Sequence, residues 1–172
     1  MTNKATFGAG CFWGVEAAFR ACKGIVSTSV GYMGGHFEQP SYLDVLSRIT
    51  GHAEVCQVEY DSSVVSYEAL LDLFWSIHDP TSLNRQGADR GEQYRSVIFF
   101  HTPAQEQMAI HSKEQLERSR KYDKAIVTQI QPASTYWLAE EYHQQYLAKK
   151  GYFNSQEQMH SLSQVSITHP TS

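Results

Sequence analysis

The sequence predicts an α+β fold, a two-layer sandwich with a ferredoxin-like βαββαβ core, a mixed sheet and long irregular loops. Two observations favour this class. Segments of strand length alternate with segments whose apolar residues recur at helical spacing, in the order strand, helix, strand, strand, helix, strand. The chain has 172 residues, the size of one typical domain and enough to bury a core.

The first half of the chain supplies three strands and two helices. A first strand over 5–10 ends in glycines, and a helix follows from Cys11 to a stop at Gly24. A second strand covers 25–32. The third strand, over 52–60, alternates and places one set of side chains on the same face: His52, Glu54, Cys56, Val58 and Tyr60. Ser66 then caps a helix with an apolar stripe over 67–78.

The second half continues the alternation and ends in a polar segment. The predicted elements are a strand over 96–101, a long helix from 103 to about 122, a strand over 125–131 and a helix over 136–149. We expect residues 1–172 to form a single domain, with 155–172 as a polar C-terminal tail that lacks cysteines.

Composition excludes several classes of partner. The net charge of −4 offers no basic surface for nucleic acid or an anionic membrane, and no apolar run is long enough to span a bilayer. Three cysteines without close pairing do not form a disulfide framework, which predicts a reducing cytoplasm. The eight histidines lack metal-ligand spacing, so we expect no metal. We also expect no bound cofactor and a monomer.

A cysteine at the predicted start of a helix is the most informative feature. Cys11 follows a glycine-rich strand end and precedes two large rings, Phe12 and Trp13. The main-chain N–H groups and the positive end of the helix dipole favour a thiolate, so we expect a lowered pKa and a reactive sulfur. A buried cysteine acting as a small hydrophobe is the alternative.

Two long segments, 31–42 and 78–95, resist assignment to helix or strand. Long irregular loops in a compact domain are usually functional or disordered. The second is rich in Asp, Arg, Tyr and Gly and too varied for a flexible linker, so Tyr42 and Tyr94 are predicted to line a pocket. An ordered loop that only holds itself together is the alternative.

Taken together, these motifs resemble those of the peptide-methionine (S)-S-oxide reductases, the A-type methionine sulfoxide reductases. The resemblance begins with GCFWGVE at 10–16 and extends to about Tyr152. It continues through GYMGG at 31–35, Tyr42, TGHAE at 50–54, HDPT at 78–81, QGAD at 86–89, QYRS at 93–96 and HQQYL at 143–147. The order and spacing of these motifs make coincidence an inadequate explanation.

The resemblance implies reduction of the S-epimer of methionine sulfoxide, free or in proteins, as repair of oxidative damage. It implies that Cys11 attacks the sulfoxide sulfur and becomes a sulfenic acid. It also implies that Phe12 and Trp13 hold the substrate methyl group and that Glu54 donates a proton to the leaving oxygen. That last role needs a carboxyl with a raised pKa, which an apolar strand face would provide.

The remaining pocket residues also come from the resemblance. Tyr42 and Tyr94 would bind the sulfoxide oxygen, and Asp89 would contact the main chain of the substrate. His143 and Tyr146 would border the pocket, although an exposed helix turn also explains their pattern.

The sequence departs from the family in two places. Many relatives carry a resolving cysteine in a Gly-Tyr-Cys context, whereas residues 151–154 here read GYFN and no cysteine follows Cys56. Cys22 is separated from Cys11 by a helix, about 16 Å at 1.5 Å per residue, and Cys56 reads as a core residue. We therefore expect recycling by an external thiol, glutathione with glutaredoxin or thioredoxin. The second departure is Arg48, where relatives usually have glycine.

Two other functions also fit parts of the pattern. A thiol peroxidase needs a reactive cysteine but neither the Phe12–Trp13 wall nor the Glu54 donor. A binding module could recognise oxidised methionine without turning it over. Replacement of Cys11 by serine separates binding from catalysis, because binding that survives while activity is never detected would favour the module.

Overall fold

Four antiparallel strands form the centre of a six-stranded sheet. The structure is a computed structural model and describes residues 2–151. The elements are β1 (Thr2–Ala9), α1 (Phe12–Arg20), β2 (Ile25–Met33), α2 (Tyr42–Leu46), β3 (Ala53–Asp61), α3 (Tyr67–Ser76), β4 (Arg85–Gln86), β5 (Asp89–Arg90), a 3₁₀ turn (Glu92–Tyr94), β6 (Ser96–Phe100), α4 (Pro103–Arg118), β7 (Gln129–Pro132), β8 (Trp137–Leu138), a second 3₁₀ turn (Glu141–His143) and α5 (Tyr146–Lys149).

This order confirms the predicted ferredoxin-like core and the mixed sheet. With the core strands counted along the chain, their order is fourth, first, third, second, and α1 and α3 are the two connecting helices. β7 adds to β6 in parallel and β8 pairs antiparallel with β2, so the two late strands form the sheet edges. The parallel pair is what makes the sheet mixed.

The main core lies between one face of the sheet and the helices α1, α3 and α4. Phe7 of β1 is fully buried and stacks on Phe19 of α1 at 5.1 Å and on Phe74 of α3 at 5.2 Å between ring centroids. The alternation predicted for β3 is confirmed, because Cys56 and Val58 belong to this core. Ala53 and Val55 lie in a second, smaller cluster on the other face.

Several predicted boundaries differ, and one predicted helix is wrong. α1 and α4 end earlier than expected, at Arg20 and Arg118, and the strand predicted over 125–131 is confined to Gln129–Pro132. The helix predicted over 136–149 is instead β8, a 3₁₀ turn and α5. Residues of β8 pair with the open edge of β2, and the left-handed conformation of Gln145, at φ 52°, separates the turn from α5.

Two predictions concern regions or properties beyond the sheet. The tail predicted over 155–172 lies outside the described residues. Within residues 2–151, no helix combines the length and the apolar character needed to cross a bilayer.

Candidate active site

Cys11 lies at the junction between β1 and α1, as the sequence predicts. Gly10 turns the chain at φ +97°, and a Cβ at that position would lie 2.9 Å from the side chain of Gln86. The turn therefore requires glycine and brings the hairpin of β4 and β5 against the junction. Cys11 is the N-cap residue of α1 and is partly exposed.

Glu54 projects from β3 into the same place and is almost completely buried, with 1% of its surface exposed. Its Oε1 accepts the main-chain N–H of Phe12 at 3.3 Å, while no donor among the described residues reaches Oε2. Burial, with a smaller contribution from Asp89, raises the pKa of Glu54 to about 8 against the opposing effect of the Phe12 N–H. The prediction of a raised pKa is confirmed, and the carboxyl is neutral near pH 7.

The prediction of a lowered pKa for the Cys11 thiol is wrong for this structure. Cys11 is partly exposed as a residue, but desolvation of its sulfur raises the pKa of the thiol well above its usual value. Glu54 and Asp89, once ionised, raise it further. The main-chain N–H groups of Trp13 and Gly14 act in the opposite direction but are outweighed. The helix start thus contributes in the predicted sense, and desolvation decides the result.

An aromatic wall extends from the first turn of α1. Tyr146 stacks on Trp13 with 3.9 Å between ring centroids and 11° between planes, and Trp13 Nε1 donates to His143 Nδ1 at 2.9 Å. The Phe12 ring lies 5.2 Å from the His143 ring. His143 is completely buried, so the alternative of an exposed turn is wrong for this residue.

The two predicted phenols and Asp89 are brought to the same site. The ring of Tyr42, at the start of α2, lies 4.4 Å from the ring of His143, and Tyr94 is 3% exposed. Burial raises the pKa of both phenols, and Glu54 raises it further once it is ionised, so each phenol keeps its proton as a donor. Burial also raises the pKa of Asp89, which β5 holds half-buried.

Three further polar residues support the site and were not predicted as site residues. His52 accepts the Gly35 N–H at Nδ1 (2.9 Å) and donates from Nε2 to the Phe37 carbonyl (2.7 Å), which fixes the loop before α2. Buried Glu16 accepts the Gln145 N–H at 2.6 Å and so ties the HQQYL segment to α1. Glu140 accepts the Tyr42 N–H at 3.1 Å. His52 and Glu16 do lie inside the motifs, so the motif pattern carried a signal for those two.

Arg48 joins two walls of the site. It adopts a left-handed conformation, φ 65°, and its guanidinium donates to the Arg90 carbonyl at 2.8 Å. The conformation explains why glycine suits this position, and the hydrogen bond connects the end of α2 to the hairpin that carries Asp89.

No group of three or more His, Cys, Asp and Glu side chains within residues 2–151 could hold a metal ion. The site itself presents a thiol, a neutral carboxyl and two phenols, with one apolar wall and one polar wall.

Comparison with known proteins identifies the class. The family model described as "Peptide methionine sulfoxide reductase" matches residues 3–169. The chain is 67% identical to peptide methionine sulfoxide reductase MsrA 1 of Nostoc sp. over 148 residues, which cover 86% of this chain and 91% of that protein. It belongs to the peptide methionine sulfoxide reductase family.

Solved structures agree with this assignment. Reduced Mxr1 from Saccharomyces cerevisiae superposes with a TM-score of 0.82 at 38% identity, covering 88% of this chain and 87% of the other. Mxr1 in complex with Trx2 gives a TM-score of 0.60 at 28% identity, covering 84% of each chain.

Proposed function

We propose that this protein reduces the S-epimer of methionine sulfoxide, free or within oxidised proteins, with Cys11 as the nucleophile. The observation that carries the proposal is the placement of Cys11 beside the buried Glu54 carboxyl, whose pKa of about 8 keeps a transferable proton at neutral pH. Membership of the family supports the same activity.

The resting thiol is neutral, so substrate must help to ionise it. A sulfoxide sulfur carries partial positive charge, and this charge increases when Glu54 donates its proton to the oxygen. Both effects stabilise a Cys11 thiolate next to the sulfur. Cys11 then attacks the sulfoxide sulfur and forms an S–S bond, while the S–O bond breaks and the oxygen leaves as water with one proton from Glu54 and one from the thiol. That water attacks the Cys11 sulfur, breaks the S–S bond and returns a proton to Glu54, so the thioether is released and the cysteine ends as a sulfenic acid. The sulfoxide is reduced by two electrons to a thioether, and the thiol is oxidised by two.

The arrangement of the walls would select one epimer. Phe12 and Trp13 offer an apolar surface for the methyl group, while Tyr42, Tyr94 and Glu54 offer donors for the oxygen. When the sulfur lies over Cys11, only one configuration at sulfur places the methyl group on the apolar surface and the oxygen at the donors. Asp89 would then bind the main chain of the methionine residue, with His143 and Tyr146 bracing the indole.

An external thiol would regenerate the enzyme. It attacks the sulfenic sulfur and releases water, leaving a mixed disulfide that a second thiol reduces to free Cys11. Cys56 is fully buried, and Cys22 lies beyond the far end of α1, about 13 Å of helix away. Both placements support recycling without an internal disulfide. Glutathione with glutaredoxin suits a lone sulfenic acid; the Trx2 complex of Mxr1 supports a thioredoxin-type protein as the alternative.

Single turnover tests the proposal. Fully reduced enzyme, without added reductant, is mixed with peptides that contain S- or R-methionine sulfoxide, and product and remaining thiols are counted. We expect about one equivalent of product from the S-epimer only, and the loss of one thiol. Cys11→Ser should abolish product, whereas Cys22→Ser should retain it. Loss of two thiols would indicate an internal disulfide, and no product from either epimer would overturn the assignment.

The same proposal extends to the setting of the enzyme. A sulfenic acid that is resolved by small or protein thiols needs a reducing compartment, for which we propose the cytoplasm. We also propose a monomeric enzyme with one catalytic domain over residues 1–172.

A further inference from the structure

Glu140 lies between β8 and the turn that carries His143, and its carboxylate joins three elements around the pocket. Its Oε1 accepts the Tyr32 hydroxyl at 3.1 Å. Its Oε2 accepts the main-chain N–H of Tyr42 at 3.1 Å and the hydroxyl of Tyr142 at 3.5 Å. One half-buried side chain thus binds β2, α2 and the turn together.

The bond to Tyr42 completes the start of α2. Ser41 and Asp44 form a capping box, in which Ser41 Oγ accepts the Asp44 N–H at 3.1 Å and Asp44 Oδ2 accepts the Ser41 N–H at 2.8 Å. The N–H of Tyr42 is left for Glu140, which comes from another part of the chain. Because α2 has only five residues, it is not held in place by its own hydrogen bonds alone. The long-range bond from Glu140 therefore fixes the main-chain position from which the Tyr42 side chain extends.

The bond to Tyr32 keeps a third phenol out of the oxygen pocket. Tyr32 is fully buried, pairs with Glu54 across β2 and β3, and lies 5.8 Å from the Phe12 ring. Burial raises the pKa of the Tyr32 hydroxyl and an ionised Glu54 would raise it further, so this hydroxyl and Glu54 are near enough to interact. Without another acceptor the hydroxyl would compete for Oε2. Because Tyr32 donates to Glu140 instead, Glu54 Oε2 has no partner among the described residues and can serve the substrate oxygen.

We infer that Glu140 is a positioning residue for the reaction at Cys11: it holds Tyr42 against the pocket and diverts Tyr32 from Glu54. The inference rests on the function proposed above. Glu140 does not contact the reacting atoms, so its effect passes through Tyr42, whose hydroxyl is proposed to bind the sulfoxide oxygen, and through Tyr32, whose hydroxyl it keeps from Glu54.

A mutant cycle tests both routes. Glu140→Gln keeps the size of the side chain but turns an NH₂ group toward a donor, so one of the two principal bonds is lost. We expect the single-turnover rate at saturating S-sulfoxide to fall by about 10-fold. In a background that carries both Tyr32→Phe and Tyr42→Phe, the same change should cost less than about 2-fold, because the two hydroxyls that Glu140 controls are already absent.

The controls separate positioning from general destabilisation. Glu141→Gln alters the neighbouring, exposed carboxylate, whose ion pair with Lys149 is 3.7 Å long, and should leave the rate unchanged. Glu140→Asp retains the charge but cannot reach both donors, and it serves in the same cycle if Glu140→Gln does not fold. Wild-type rates in Glu140→Gln, or a loss that remains in full when Tyr32→Phe and Tyr42→Phe are both present, would overturn the inference. An inactive wild-type enzyme would instead overturn the proposed function.

Discussion

The main-chain N–H of Phe12 donates to Glu54 Oε1, so the first turn of α1 holds the carboxyl that lies beside Cys11. The residue that follows the nucleophile in the chain therefore also holds the acid by a hydrogen bond. This bond occupies one carboxyl oxygen and leaves the other for a ligand. It also orients a group whose burial, at 1% exposure, keeps it protonated.

Replacing Glu54 with glutamine should separate binding from proton transfer. The amide retains the hydrogen bond to Phe12 but cannot give up a proton, so we expect kcat/KM for the S-sulfoxide to fall by roughly 10²–10⁴-fold. Steady-state kinetics with a thiol reductant measures this. Glu59→Gln, on the same strand and more exposed, should behave as wild type. A loss under about 5-fold for Glu54→Gln would contradict its role as the acid.

The pH dependence follows from the pKa of Glu54, about 8. Below that value the carboxyl carries the proton that the leaving oxygen needs, and above it the proton is lost. We expect the single-turnover rate to decline as the pH rises through about 8. Stopped-flow tryptophan fluorescence across pH 6 to 10, roughly the span over which such a group titrates, would follow the step. A decline that persists unchanged in Glu54→Gln would assign it to another group.

The same shift affects stability in a definite direction. Glu54 has a folded pKa of about 8 against a usual value of 4.5, so the folded state binds the extra proton between these values. Its contribution is fully present below pH 4.5 and is lost as the pH rises through about 8. Denaturant titrations of wild type and Glu54→Gln should therefore diverge with increasing pH, with the variant losing less stability. Parallel stability curves would contradict the shift.

Trp13 and Trp75 provide a matched pair of indoles. Trp13 donates to His143 in the aromatic wall, and Trp75 donates to Ser112 at 2.7 Å between α3 and α4. Replacing either with phenylalanine removes a hydrogen bond and ring area, so we expect each to cost about 1–3 kcal/mol of unfolding free energy. Only Trp13→Phe should raise KM, and an equal rise for Trp75→Phe would show that KM reports stability alone.

Arg48 tests the balance between strain and contact. Arg48→Gly relieves a left-handed backbone but loses the bond to Arg90, whereas Arg48→Ala loses the bond and keeps the strain. We expect the free energy of unfolding of Arg48→Gly to exceed that of Arg48→Ala by about 1 kcal/mol. Thermal unfolding measures the difference. Arg120, which has φ 54° at the end of α4, should show the same glycine–alanine difference without any change in activity.

The sequence predicted the parts of the fold that depend on local pattern. The alternation over 52–60 placed Glu54 on the core face, and the glycines around Cys11 indicated the strand-to-helix turn. The segment after Tyr136 could not be predicted in this way. Its conformation depends on pairing with Gly31 and Tyr32, far away in the chain, and on a left-handed residue at Gln145.

The site shows the same division between local and distant information. The helix start at Cys11 is readable from sequence, but the raised pKa of the thiol depends on desolvation and on the charges of Glu54 and Asp89, which come from distant parts of the chain. Glu140 carried no recognisable signal, since its partners Tyr32 and Tyr42 come from separate segments. The family resemblance named Tyr42 but not the carboxylate that holds it.

The pocket is assembled from chain segments that leave the ribosome far apart in time. Cys11 is made early, whereas the residues that tie the wall together, Glu140 to Tyr146, are among the last of the described chain. During synthesis the nascent chain therefore presents Cys11 before His143 and Tyr146 can cover its neighbours. Until then the thiol lacks part of the surroundings that desolvate it, so the raised pKa of Cys11 is a property of the completed fold.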